Sequence, residues 1–322
     1  MSIPTPSLSP SETNYIISSL SDPTQPTRPD ARSPLATRPI QISYGVFPQA
    51  SGSARVNVGG TEVVAGVRLE VVDSSEEEGG WRGKVEVDVT PQAFPSINTQ
   101  NLSSISTHLS SLLSTHFIPS ISPFPILPGK KYFQPHLHLT LLSNSGSMLS
   151  TLVLASRAAL SDLRIPKTKI ISWTGNEDAL ETGDLSGIKA AIAGGGGKGG
   201  KRNKYVARGG EDWDLDLDDG KGVEYMKGRE GLPVLVTLNL VPNSPNIFLD
   251  ATPQEESACP TRLHLFFSSP SPSSFGSDKL KLCGLRLEGP EGLDNGRIKG
   301  LLQEGEKVAQ ELIQEINSSL PR

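Results

Sequence analysis

Hydrophobic and polar positions change period several times along this chain, and each change marks an element. Residues 1–8 are rich in Ser and Pro and show no period. Ser9-Pro10-Ser11-Glu12 then opens a helix: a Ser cap, Pro at the first helical position, and a Glu three residues on that reaches back to the cap. Tyr15, Ile16 and Leu20 are its predicted apolar stripe. Pro23, Pro26, Pro29, Pro34 and Pro39 predict that 21–40 runs extended over a surface. From Tyr44 the period is two: β-branched residues over 55–58, Gly59-Gly60, and alternation over 61–70 predict a hairpin. Strict alternation over 84–89 predicts a strand with one wet face. Leu102, Ile105, Leu109, Leu112 and Leu113 fall on one stripe of a helix over 99–116. Pro119, Pro123, Pro125 and Pro128 then predict a rigid connector, followed by a strand over 135–142 and a helix over 147–162.

In the second half, the Gly-rich run 194–200 continues into Lys201, Arg202, Lys204 and Arg208, then reverses sign over 211–219. That composition predicts a flexible insertion over 190–222. Strands are predicted over 234–240, 247–249, 262–267 and 279–287, the last after a Ser/Pro tract at 268–277. Ile298, Leu301, Leu302, Gly305, Val308, Ala309, Leu312, Ile313 and Ile316 recur at three and four, the clearest helix in the chain. Each half therefore reads as strands followed by helix, and the fold class as α+β in two lobes. The expected organisation is an arm with its helix over 1–27, a first lobe over 28–189, the insertion, and a second lobe over 223–322.

Charge and composition narrow the function. Of 322 residues, 35% are hydrophobic and 20% charged, and the formal net charge is -5. Coating by nucleic acid through bulk charge is excluded, although a local basic patch is not. Two cysteines, Cys259 and Cys283, are too few for a disulfide scaffold or a Cys-rich zinc site. A reducing compartment is expected. No apolar run approaches the roughly 20 residues of a membrane span, and the start lacks a signal-peptide pattern, so no membrane association is expected.

Candidate chemistry is sparse. Gly195, Gly200 and Lys201 give the skeleton of a phosphate loop, but Arg202 stands where a hydroxyl ligand for magnesium belongs. His136 and His138 share a strand face without a third ligand, so no metal site is predicted and no cofactor is expected. No Gly-x-Ser-x-Gly elbow occurs. Asp250, Glu255 and Glu256 form an acidic knot at a strand end, read from composition as a solvated loop ahead of an acid/base or magnesium site. Trp81, Arg82 and Lys84 join an aromatic to two cations, suited to stacking on a base and pairing a phosphate.

Four stretches carry a resemblance. Arg28-Pro29-Asp30-Ala31-Arg32 resembles the Arg-x-Asp-Gly-Arg motif of the RNase PH family, with Ala31 where Gly is usual. Residues 51–56 through Gly59, Thr61, Val64, Gly66 and Val67 resemble its first hairpin. Ala158-Ala159-Leu160 with Arg164-Ile165-Pro166 resembles the end of its central helix. Asp250-Ala251-Thr252 with Gln254-Glu255-Glu256 is similar to the strand-end motif of the RNase PH-like ring subunits of the eukaryotic RNA exosome. The resemblance implies an RNase PH-like fold, two β-α lobes of the ribosomal protein S5 domain 2 type. Active members of the family cleave RNA from its 3′ end with inorganic phosphate.

By the same resemblance the first catalytic aspartate falls on Glu256 and the second acidic position on Arg262. The phosphate-holding arginine falls near Leu149, and the helix over 99–116, where active members carry another, has no Lys or Arg. Losing one preorganised charge contact commonly costs about 10²–10³ in rate. The resemblance therefore implies a degenerate site at Leu149, Glu256 and Arg262 and a catalytically silent, structural and RNA-guiding ring subunit. Its implied partners are other RNase PH-like ring subunits, a cap subunit of S1/KH type and RNA in the channel, in a hetero-oligomer of nucleus, nucleolus and cytoplasm. Arg55, Arg82 and Lys84 are the candidate RNA contacts. The rival readings are an active phosphate-dependent 3′-5′ exoribonuclease and an S5-type fold recruited to bind a small molecule.

Overall fold

The computed structural model describes residues 5–73, 83–172, 211–216, 222–269 and 279–321. Helix α1 (Pro10–Ser21) has the predicted capping box between Ser9 and Glu12. Ile16 and Leu20 are buried, but Tyr15, expected in the apolar stripe, is 66% exposed. Strands β1 (Ile40–Tyr44), β2 (Gly52–Val58), β3 (Thr61–Asp73), β4 (Lys84–Val89), β5 (Phe124–Leu127) and β6 (Lys131–Ser143) form one sheet, in the order β1-β2-β3-β6-β4 with β5 also on β6. The β2–β3 turn is tight because Gly59 (φ +55°) and Gly60 (φ +95°) both take positive φ, which two-residue hairpins favour. Strands β4 and β6 are parallel, so the chain crosses between them through α2 (Thr99–His116), which buries the five predicted apolar residues. The segment expected to be a plain connector contains β5, in which Pro125 is tolerated at a sheet margin.

Helix α3 (Met148–Ser161) buries every residue except Ser150. A helix apolar on all sides needs walls on all sides. It packs on β2 and β3 of the first sheet and on β11 (Val234–Leu240) of a second. The second sheet has the order β12-β11-β13-β14, with β12 (Ile247–Phe248), β13 (Arg262–Ser268) and β14 (Lys281–Glu288). Helix α5 (Asn295–Ser318) lies on β11 and β13. Between β12 and β13 the chain makes a short helix, α4 (Pro253–Ala258), where the acidic composition predicts a loop.

The chain divides into two compact units, 1–165 with 223–322 and 166–222. Strands β7 (Arg164–Pro166) and β10 (Val223–Tyr225) lie at the junctions. In the smaller unit β8 (Thr168–Ser172) pairs antiparallel with β9 (Glu211–Leu215). Strand β9 falls inside the expected flexible insertion. Its acidic residues alternate with Trp213 and Leu215, a period-two signal beneath the charge run.

Candidate functional site

Leu149, Glu256 and Arg262 come from α3, α4 and β13 and line one cleft, together with Ser147, Ser150, Thr237, Asn239, His264, Glu288, Leu109 and Leu112. Helix α4 holds Glu256 there. Thr252 and Glu255 close a capping box, which puts Glu256 in the first turn, buried. Its Oε1 accepts the Ser147 amide at 2.9 Å and lies 3.3 Å from Arg262 Nη1. The carboxylate is thus spent on a helix N-terminus and a guanidinium. Leu149 is 6% exposed and presents only hydrocarbon. The cleft encloses about 10 Å³ of free space, room for roughly one water molecule.

A polar chain continues along the same wall. Ser150 Oγ lies 3.0 Å from Thr237 Oγ1, which lies 3.0 Å from His264 Nδ1, and His264 Nε2 lies 3.5 Å from Glu288. Burial raises the Glu288 pKa, but the hydrogen bond and charge of His264, then those of Arg286, hold it down to about 2. Thr237, Asn239 and His264 were not singled out from sequence. Their signal is polar residues at alternate positions of otherwise apolar strands, which points them to one buried face.

Behind the cleft the acidic knot is buried, not the solvated loop expected, because arginines from the 28–38 segment neutralise it. Arg28 is bidentate to Glu255, Nε to Oε1 at 2.8 Å and Nη2 to Oε2 at 2.6 Å, with both side chains fully buried. Arg28 also donates to the Leu249 and Asp250 carbonyls and lies over the Phe248 ring. Asp250 receives Arg32 at 3.0 Å and Arg38 at 2.6 Å. Burial raises its pKa, but hydrogen bonds and charge from Arg38, with charge from Arg32, outweigh that and hold it below the usual carboxylate value. Ala31 has φ +60°, the conformation for which glycine is the usual residue.

Of the candidate RNA contacts, the two described, Arg55 and Lys84, stand on strands that are not neighbours. Arg55 on β2 is ion-paired to Glu62 and 55% exposed. Lys84 is exposed on β4, separated from β2 by β3 and β6. The polar face they share carries Arg68, His136 and His138 as well as Glu62, Glu70, Glu86 and Asp88. Trp81, Arg82 and the Gly195–Lys201 skeleton lie outside the described residues. His136 lies 3.2 Å from Glu70 and His138 lies 3.3 Å from Asp88, so each histidine has its own carboxylate. Cys259 sits in a core with Ile16, Leu20, Val241 and Phe248, and burial, then Glu255 and Glu291, pushes its thiol to about 12, which makes it inert. Cys283 is half-buried on β14.

Residues 36–166 match the 3′ exoribonuclease family, domain 1, whose heading is RNase PH. The chain is 28% identical over 148 residues to the exosome complex component Rrp42 of Sulfurisphaera tokodaii, covering 44% of this chain and 54% of that protein. It is 30% identical over 163 residues to the Rrp42 component of Thermoplasma acidophilum, covering 48% and 61%. The chain thus spans little more than half the length of these relatives. Its fold matches a chain of the Archaeoglobus fulgidus exosome with RNA bound to the active site, with TM-score 0.62, 19% identity, and coverage of 96% of this chain and 98% of that one. An archaeal exosome core matches at TM-score 0.56 with 19% identity, covering 95% and 96%. The sheet-and-helix plan and the matched domain agree: the chain has the RNase PH-like fold and is similar over somewhat under half of its length to the Rrp42 exosome components.

Proposed function

We propose that this chain is a non-catalytic structural and RNA-guiding subunit of the RNase PH-like ring of the RNA exosome, supporting 3′-5′ RNA processing and decay by nucleases attached to the ring. The supporting observation is the cleft: Glu256 is neutralised by Arg262, Leu149 offers no charge, and the space admits about one water. Phosphorolysis needs an attacking phosphate held by cations against an anionic backbone, with an acid or metal at the departing 3′ oxygen. In this cleft Arg262 opposes a metal and Glu256 opposes a phosphate.

The partners in this reading are other RNase PH-like ring subunits and a cap subunit of S1/KH type, with RNA in the channel and the particle in nucleus, nucleolus and cytoplasm. Heterologous contacts repeated around an axis close such a ring. Incubating the purified chain with RNA and inorganic phosphate is expected to leave the RNA full length and to release no nucleoside diphosphate. Native mass spectrometry of the tagged protein from its own cells is expected to give a ring of different subunits. Diphosphate release that is abolished by Glu256→Gln, or a ring of identical copies, would establish the phosphorolytic enzyme instead.

A further inference from the structure

Helix α1 is held to the fold by Ile16 and Leu20, which enter a core with Val241, Phe248 and Cys259, and Leu8, just ahead of the helix, packs against the same core. Tyr15 precedes Ile16 and so points about 100° away from it around the helix. It stays 66% exposed. There it stands beside a groove of about 520 Å³, lined also by Leu8, Ile16 and Pro29 and by Thr252 and Gln254 at the start of α4. Pockets that take a ligand commonly enclose about 300–1,000 Å³, whereas the cleft at Glu256 encloses about 10 Å³. The groove and the cleft share no lining residue.

The charged side chains that line the groove are both acids, Glu12 and Asp30. Asp30 is paired, its Oδ2 2.6 Å from Arg32 Nε. Glu12 instead accepts the Ser9 amide on Oε2 at 2.8 Å. That amide, then the Ser9 hydroxyl, lowers the Glu12 pKa, so the carboxylate is ionised at neutral pH. Both donors are neutral and hold the charge in place without cancelling it. Glu12 and Tyr15 are three residues apart on α1 and therefore neighbours on its surface. An acidic rim repels a phosphodiester, so the groove is not suited to RNA. It is suited to a cation on an apolar stem. The face of an aromatic ring attracts a guanidinium, which can stack there while its N–H edge meets a carboxylate, and the arginine methylenes lie along hydrocarbon.

We propose that the groove beside α1 docks an extended segment of a partner protein through an arginine, with its guanidinium on the Tyr15 ring and against Glu12 and an adjoining aliphatic side chain on Leu8, Ile16 and Pro29. Tyrosine and arginine are among the residue types that carry most of the energy of protein interfaces. The docking site does not depend on the ring assignment, because none of its residues belongs to the cleft at Glu256. Glu12 has two uses in this account: one oxygen caps the helix, and the charge faces the partner.

The test uses the full chain labelled with 3-fluorotyrosine, in which the Tyr15 fluorine resonance is assigned by its loss in Tyr15→Phe. Two capped hexapeptides, Gly-Leu-Arg-Leu-Ser-Gly and the same sequence with Glu for Arg, are titrated to millimolar concentration. The Tyr15 resonance is expected to shift saturably with the arginine peptide, and the glutamate peptide is expected to bind at least tenfold more weakly. Glutamine at this helix position keeps the hydrogen bond back to the cap, so Glu12→Gln removes the charge without uncapping α1. It is expected to weaken the arginine peptide about threefold. No saturable shift, equal affinity for the two peptides, or an unchanged affinity in Glu12→Gln overturns the proposal. So does a shift on adding single-stranded oligouridylate. A resonance that moves with protein concentration alone assigns the groove to a second copy, and one that answers the peptide only after removal of residues 1–4 assigns it to the chain's own start; either overturns the proposal. None of these results bears on ring assembly, which native mass spectrometry reads separately.

Discussion

Arg28, Arg32 and Arg38 meet Glu255 and Asp250 at 2.6–3.0 Å, whereas Arg157, Arg164 and Arg229 meet carbonyls, an amide oxygen and a tyrosine ring and, among the described residues, no carboxylate. Both groups hold the chain together across long sequence separations. The first ties the extended 28–38 segment to α4 and the end of β12. The second ties α3 to the 229–231 turn and the end of α5. They differ in what they leave over. In the first group Asp30, 2.6 Å from Arg32, supplies the third carboxylate for the third arginine, so the charges cancel in place; in the second, no carboxylate among the described residues pairs with the cations.

Breaking the neutralised group should have the largest effect. Glu255→Ala leaves the Arg28 guanidinium fully buried and without its anion, and is expected to cost about 3–5 kcal/mol of stability, read from urea unfolding. Replacing both partners by apolar residues, Arg28→Met with Glu255→Leu, is expected to recover most of that, because the cost is the orphaned charge and not the missing attraction. A Glu255→Ala protein within 1 kcal/mol of wild type would mean that the pair contributes no more than a surface bridge.

Asp250→Asn should come next, at about 1.5–3 kcal/mol near neutral pH, the usual range for hydrogen bonds to a charged group. The pH dependence separates charge from shape. The folded-state pKa of Asp250 is below its ordinary value, held there by Arg38 and Arg32 against the opposing effect of burial. Such a group contributes stability that is fully present above its unfolded pKa, near 3.8, and is lost as pH falls through the lower folded value. Wild-type stability is expected to fall below about pH 4 more steeply than that of Asp250→Asn, and parallel acid limbs in the two urea-midpoint profiles would refute the ion-pair account.

The comparison also bears on what sequence can reveal. Periodicity located the long helices and most of the longer strands of the large unit, because apolar stripes at two and at three-to-four are local properties of the chain, but it missed the short strands β1, β5, β7 and β10. Ser9-Pro10-x-Glu12 was read as a helix start, yet Thr252-Pro253-x-Glu255 carries the same cap, proline and returning acid and was read as an acidic loop. The difference is length: α1 has 12 residues and shows a stripe, while α4 has 6 and cannot. Misreading α4 concealed that Glu255 faces inward. Resemblance brought Leu149, Glu256 and Arg262 into consideration together, and they line one cleft. Nothing local in the sequence pairs Arg28 with Glu255 or sets Arg157 beside residues 230 and 317, since only the fold brings such distant positions into contact.

The smallest expected change is at Arg157. Burial lowers the Arg157 pKa to about 10, so the fold bears the desolvation of a cation that has no carboxylate to offset it. Arg157→Met keeps much of the volume and removes that burden, but takes one of two donors from the Glu230 carbonyl and leaves Asn317 Oδ1 without its donor. Asn317 Nδ2 already reaches the Glu230 carbonyl at 3.2 Å, so that acceptor keeps a partner. Apolar replacement of buried charge is commonly neutral or stabilising, and an unpaired amide oxygen costs about 1–3 kcal/mol. The two effects offset, and the urea midpoint of Arg157→Met is expected within about 1 kcal/mol of wild type. Arg28→Met alone, which orphans Glu255, should fall several kcal/mol below it. If Arg157→Met destabilised as much as Arg28→Met, Arg157 would have a structural anion after all.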